Sequence, residues 1–314
     1  LEAPPQTLPS KLPSKTPGYL CVFAAATLWG VAGSLAKFFF NRAVDPLVVV
    51  EFRLTFGALV AGLFLLVYDR RLLVVRPKDL PYLAILGVFG LTGAQATCYF
   101  TISQTTVATA IFLQFLAPVP IAIYSSLVRR EPLGPAVRNA AFVAVLGSGL
   151  LLLGRQGRLV ITPAGLATGL LSAFFLCFHT LWGKRRAGVI HPWTTLFYSL
   201  VFGAIGFSMV RSPLTAFRSG LGGAEWAYLA YTVVFSTVIP HGLYFMGLRV
   251  LSATETSIVS TLEPVIASLA AFIALGETLT VVQVLGAVLI SASIIYIQSA
   301  PASAGRAARA AGAG

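Results

Sequence analysis

Acidic residues are scarce in this chain. Asp and Glu together number ten in 314 residues, and charged residues of both signs make up only 10%. A soluble domain carries about 25% charged residues, so this chain cannot clothe a globular surface in groups that suit water. Cysteine is nearly absent too: Cys21, Cys98 and Cys177 all fall inside apolar runs, which leaves packing as their role and gives no metal or disulfide spacing. With three histidines, no HExxH pattern and no acidic cluster, there is little material for a metal or hydrolytic centre, and no cofactor is expected. A Walker A phosphate loop is missing, so the chain itself shows no means of using ATP.

Positive charge is in excess, with a net +12, yet it does not form basic patches interleaved with aromatics. It clusters in short gaps between apolar runs, which argues for loop charges beside a bilayer and against nucleic acid as a partner.

What the chain has in abundance is apolar length. Hydrophobic residues reach 57% and mean hydropathy is +0.86. The runs are apolar all round and too long for strands, which points to an all-α membrane protein. Ten transmembrane helices are expected, at 18–40, 46–68, 81–102, 106–127, 136–153, 163–183, 192–210, 225–247, 253–275 and 280–298. Residues 1–17, rich in Pro, Ser and Lys, and 299–314, rich in Ala, Gly and Arg, read as disordered tails, and 155–162 as a linker. The first run is too long for a signal-peptide core and is expected to be retained. With the N-terminus inside, fifteen Lys and Arg lie in cytoplasmic segments and five outside, while Lys37 and Arg53 lie within spans. That bias predicts both termini in the cytoplasm.

The two halves of the chain echo one another. Thr27-Leu28-Trp29-Gly30 recurs as Thr180-Leu181-Trp182-Gly183, and Phe56-Gly57-Ala58 recurs 146 residues later as Phe202-Gly203-Ala204. Pro118 answers Pro264, and Glu131 answers Glu277, at the same offset. Five spans per half, an odd number, make the halves inverted repeats, 18–154 and 163–298, an architecture that suits alternating access around a midplane site. The Leu-Trp-Gly of each first span, Arg53, Leu262-Glu263-Pro264 and Gly276-Glu277 resemble the EamA family of the drug/metabolite transporter superfamily. The resemblance spans residues 18–298. It implies a secondary transporter in a bacterial inner membrane, with the third, fourth, eighth and ninth helices around a central cavity. It also implies export of a small metabolite, often an amino acid.

Candidate pathway residues follow from polar faces on apolar helices, where a polar group is expensive unless turned inward. The third span sets Thr92, Gln95 and Tyr99 on one face, and the eighth sets Thr237, His241 and Tyr244 likewise. Gln114 corresponds to Ser260. Trp29 and Trp182 occupy equivalent positions, Trp182 beside a basic run that suits an interfacial anchor. His179 and His241 titrate naturally near neutral pH. Arg53 snorkels outward, pairs with a carboxylate elsewhere, or offers its planar fork to a substrate carboxylate. Glu263 falls about 13 Å along its helix, near the middle of a roughly 30 Å hydrocarbon layer. It is either a structural acceptor or a group that exchanges protons during transport. Pro118, Pro240 and Pro264 are expected as hinges. Two alternatives to a carrier remain at this point: a membrane-embedded enzyme acting on a lipid or peptide, and a passive channel.

Overall fold

The computed structural model describes residues 14–40, 45–105, 107–128, 134–153, 162–275 and 280–299. Most of the two expected tails, most of the linker, and Glu131 and Glu277 lie outside them. Among the described residues the structure is helical, without strands. Apart from short helical turns at Arg70–Leu73 and Thr215–Arg218, the helices among the described residues fall into ten rods. We label them α1 (Thr16–Phe40), α2 (Pro46–Tyr68), α3 (Pro77–Gln104), α4 (Val107–Gln114 and Pro118–Leu127), α5 (Pro135–Leu153), α6 (Pro163–Arg185), α7 (Pro192–Ser208), α8 (Gly223–Val250), α9 (Ala253–Ser260 and Leu262–Leu275) and α10 (Val281–Ser299).

Prolines start many of these rods. Pro46, Pro77, Pro135, Pro163 and Pro192 each sit at the first helical position, where a missing N–H costs nothing and φ is already helical. Asp45 caps α2 by accepting from the Leu47 N–H, and Thr162 caps α6 by accepting from the Gly165 N–H. Ser252 and Glu255 form a reciprocal capping box at the start of α9. α1 begins at Thr16, and Lys15, expected in the tail, donates to Glu255 Oε1 at 2.7 Å. That bond keeps the Glu255 carboxylate within the protein rather than in open solvent.

Among the described residues, five helices are long and apolar enough to cross a bilayer: Pro46–Tyr68, Pro77–Gln104, Ala110–Leu127, Pro163–Arg185 and Gly223–Val250. Large apolar side chains stay exposed along the bundle's outside, among them Leu59, Leu63 and Leu66 on α2 and Val284, Leu285 and Val288 on α10. In water such a surface would be a liability; against lipid it is a solvent-compatible face.

The packing repeats the sequence. α1 packs on α8 and α9, and α6 packs correspondingly on α3 and α4. α2 pairs with α7, and α5 with α10. Exchanging each rod with its counterpart five places along maps these contacts onto one another, so the bundle is two like halves related by a pseudo-two-fold relation.

Irregular backbone marks the rods near the centre. α4 is interrupted at 115–117 before Pro118, and α9 at Thr261 before Pro264. A proline clashes with the carbonyl four residues earlier, and the last regular residues of the first pieces are Gln114 and Ser260, each four before its proline. In α8 a π-helical segment, Val234–Val238, precedes Pro240. In α3 a π-helical segment spans Leu86–Thr92 with no proline at all. Sequence reasoning expected only the three proline sites. Here glycine fits the close neighbours: a Cβ on Gly87 would lie 2.5 Å from the Ser199 carbonyl oxygen of α7.

Candidate functional site

Between the halves lies a cavity of about 140 Å³. Its wall takes Trp29 from α1, Arg53 from α2, Gln95 and Tyr99 from α3 and Gln114 from α4. From the second half come His179 of α6, His241 and Tyr244 of α8, and Ser260 and Glu263 of α9. Thus the structure brings together ten of the thirteen pathway candidates. Thr92, Trp182 and Thr237 do not line the cavity.

Each of those three has another place. A Cβ on Gly203 would sit 2.6 Å from Thr92 Oγ1, so Thr92 packs against α7. Trp182 stacks on Tyr82 with centroids 5.8 Å apart and carries the Arg185 guanidinium over its ring at 4.5 Å. Thr237 stands behind the wall and accepts from Arg53 Nε at 2.7 Å.

Arg53 does not snorkel outward. It is 3% exposed and bridges α3 and α8, donating also to the Tyr99 hydroxyl and, at 2.8 Å, to the Ser236 carbonyl. That carbonyl is available because its regular helical donor would be residue 240, a proline with no N–H. Trp29 Nε1 donates to the same oxygen at 3.1 Å. Pro240 therefore positions the cation as well as bending the helix. A guanidinium has five N–H donors, and these bonds use three, leaving two for a ligand.

The charges are distributed unevenly between the halves. At the 146-residue offset Arg53 corresponds to Ser199, and Glu263 to Ala117. One pole comes from each half, and both face one cavity. Aromatic rings fill the space between: Trp29 meets His241 edge-on at 4.9 Å, and His179 stacks on Tyr244 at 5.7 Å. Tyr244 and Thr180 close the wall beneath with a hydroxyl–hydroxyl bond of 2.6 Å.

Toward the end of the bundle where α1 begins, the halves are clasped. Asp79, 1% exposed, takes Arg76 Nε at 3.0 Å and also pairs with Arg186. Tyr82 donates to the Trp182 carbonyl at 2.9 Å, and Trp182 Nε1 donates to the Tyr82 carbonyl at 3.1 Å. At that same end lies His191, whose imidazole is held below its ordinary pKa by burial and by the Arg249 cation, with Asp69 opposing. Sequence reasoning missed this clasp and missed Tyr228 in the cavity wall. The repeat offset holds the signal: Tyr228 is Tyr82 plus 146, and Glu225 is Asp79 plus 146. Among the described residues no group of three or more His, Cys, Asp or Glu is placed to hold a metal.

Apolar helices with a lipid-compatible surface, around a cavity lined by polar side chains from both halves, fit a multi-pass membrane transporter. The sequence model of the EamA-like transporter family matches residues 16–153 and again 163–298, and the chain belongs to that family. It is 30% identical over 287 residues to the uncharacterized inner membrane transporter YicL of Salmonella typhimurium, covering 89% of this chain and 94% of that protein. It is 29% identical over 278 residues to the threonine/homoserine exporter RhtA of Escherichia coli, covering 88% of each. A solved protein crystal structure superposes with a TM-score of 0.75 at 19% identity, over 90% of this chain and 97% of that one, and supports the fold alone. The family is one of transporters rather than enzymes, and its members move small molecules across a membrane.

Proposed function

We propose that the chain is a secondary carrier exporting an amino acid or closely related zwitterion by alternating access, with both termini in the cytoplasm of a bacterium. The observation that carries this reading is that Arg53 and Glu263, one from each half, line the same cavity. A planar guanidinium held by three bonds suits a substrate carboxylate, and Glu263 supplies the matching pole for its ammonium. The export direction and the amino acid class draw support from the similarity to RhtA.

Unequal ends favour a carrier over a passive channel. Tyr82 and Asp79 belong to the clasp, whereas Tyr228, the counterpart of Tyr82, lines the cavity. On α3 and α4 the lining extends to Ile102 and Ile111, toward the end away from the clasp. A cavity that extends away from the clasp, with the halves also tied at the far end by the Arg211–Asp45 pair, fits one state of an alternating carrier.

Reconstitution into liposomes tests the proposal. Labelled threonine should enter saturably and should accumulate transiently against unlabelled threonine trapped inside. Uptake that rises linearly with concentration and shows no counterflow would replace the carrier with a channel, and no uptake of any amino acid would refute the substrate class.

A further inference from the structure

Gln95 and His179, both in the cavity wall, have polar atoms with no hydrogen-bond partner among the described residues. Gln95 is 9% exposed, and neither its Oε1 nor its Nε2 makes a hydrogen bond. His179 is 3% exposed, and its Nε2 is likewise unbonded. Both line the same cavity, from α3 and α6. Burying an unbonded donor or acceptor forfeits its full hydration, so a wall carrying three such atoms is matched to something that enters it. Thr92 and Ser199 also have unbonded buried hydroxyls, but neither lines the cavity.

The surroundings restrict what that something is. The His179 ring is wedged between Tyr244 and Phe245, at 5.7 and 5.3 Å, and a Cβ on Gly90 would come 3.2 Å from its Cδ2. The imidazole is therefore fixed in place. An amide offers both acceptor and donor and carries no charge, and Nε2 donates or accepts according to tautomer. Charged groups already have Arg53 and Glu263. An apolar side chain would leave all three atoms unsatisfied.

We propose that Gln95 and His179 form a specificity subsite that reads a neutral hydrogen-bonding group, a hydroxyl or carboxamide, on the side chain of the transported amino acid. This rests on the amino acid reading above. Sites built to bond a hydroxyl discriminate strongly against analogues lacking it, whereas apolar pockets discriminate weakly.

The test compares near-isosteric pairs, threonine against valine and asparagine against leucine, as transport efficiency in liposomes carrying the full chain. The wild-type protein should favour the polar member of at least one pair by about tenfold or more. Gln95→Leu should erase most of that preference by lowering uptake of the polar member far more than that of the apolar one. His179→Phe is a second variant that keeps the ring and should act in the same direction. A wild-type ratio near one for both pairs overturns the inference. So does an equal fall for both members in the variants, which would put Gln95 against the shared amino acid backbone. If the wild type moves none of the four, the amino acid reading itself fails and this subsite with it; movement of all four without discrimination overturns the subsite alone.

Discussion

Arg53 Nε lies 2.7 Å from the Thr237 hydroxyl, which itself donates to the Thr232 carbonyl five residues earlier at 2.9 Å. The cation of one half is thus oriented by a π-helical segment of the other. A hydrogen bond to a charged group contributes about 1.5–3 kcal/mol. Thr237→Val keeps the shape and removes the acceptor, so the half-saturation concentration for an amino acid should rise about tenfold, since ~1.4 kcal/mol is one decade. Thr237→Ser should restore it. Wild-type affinity in the valine variant would show that Arg53 needs no such support.

How much of this was readable beforehand varies by residue. Long apolar runs and the 146-residue echo place the rods, because lipid leaves the backbone few options. The Gln95/His241 and Tyr99/Tyr244 pairs emerge from helical spacing combined with that echo. Thr92 and Thr237 share those faces in a regular helix, but both belong to π-helical segments and neither lines the hollow. The segment in α3 has no proline to announce it. Arg53 looks from sequence like a snorkelling cation, because the oxygen that receives it is a backbone carbonyl released by Pro240, an acceptor that a side-chain pattern does not reveal. Asp79 and Arg186, 107 residues apart, reflect how α3 meets α6, which spacing along one helix does not encode.

Replacing each pole by its nearest relative separates charge from geometry. Arg53→Lys retains the charge but loses the fork and the bonds that fix it. Glu263→Gln retains the shape and loses the charge. If a zwitterion spans both, each change should reduce amino acid transport by about tenfold or more, one decade being ~1.4 kcal/mol. Repeating Glu263→Gln under an imposed pH gradient also tests protons as a coupling ion. Retention of the wild-type response to the gradient would remove Glu263 from that role, and unimpaired transport in both variants would dissolve the two-pole site.

Gly30 lets α1 approach the bend in α9. A Cβ there would lie 2.7 Å from the Glu263 carbonyl oxygen and 2.8 Å from Ile266 Cβ. A backbone carbonyl next to Pro264 has little room to yield, and overpacking costs about 1–3 kcal/mol. Gly30→Ala should lower the thermal midpoint and impair transport together, because α9 must shift with its carboxylate. Gly188→Ala, where nothing lies within 4 Å, is the matched control and should leave both unchanged. Equal behaviour of the two variants would count against close α1–α9 packing.

The clasp can be opened from one side without disturbing the cavity. The Asp79 side chain is 2% exposed, while those of Arg76 and Arg186 are 58% and 38% exposed. Asp79→Ala therefore leaves two cations with access to water instead of a buried unpaired charge, and the halves lose one of their ionic links at that end, the Lys15–Glu255 pair remaining. Cys98 reports the result, because it lines the cavity. In a chain with Cys21 and Cys177 replaced by Ala, a membrane-impermeant maleimide should label Cys98 from the end opposite the clasp. Asp79→Ala should raise labelling from the clasped end several-fold and lower it from the other, since a carrier that opens one gate closes its counterpart. A rise at the clasped end with no fall at the other would describe a leak, and an unchanged pattern would mean that Tyr82 and Trp182 hold the halves together without the ion pair.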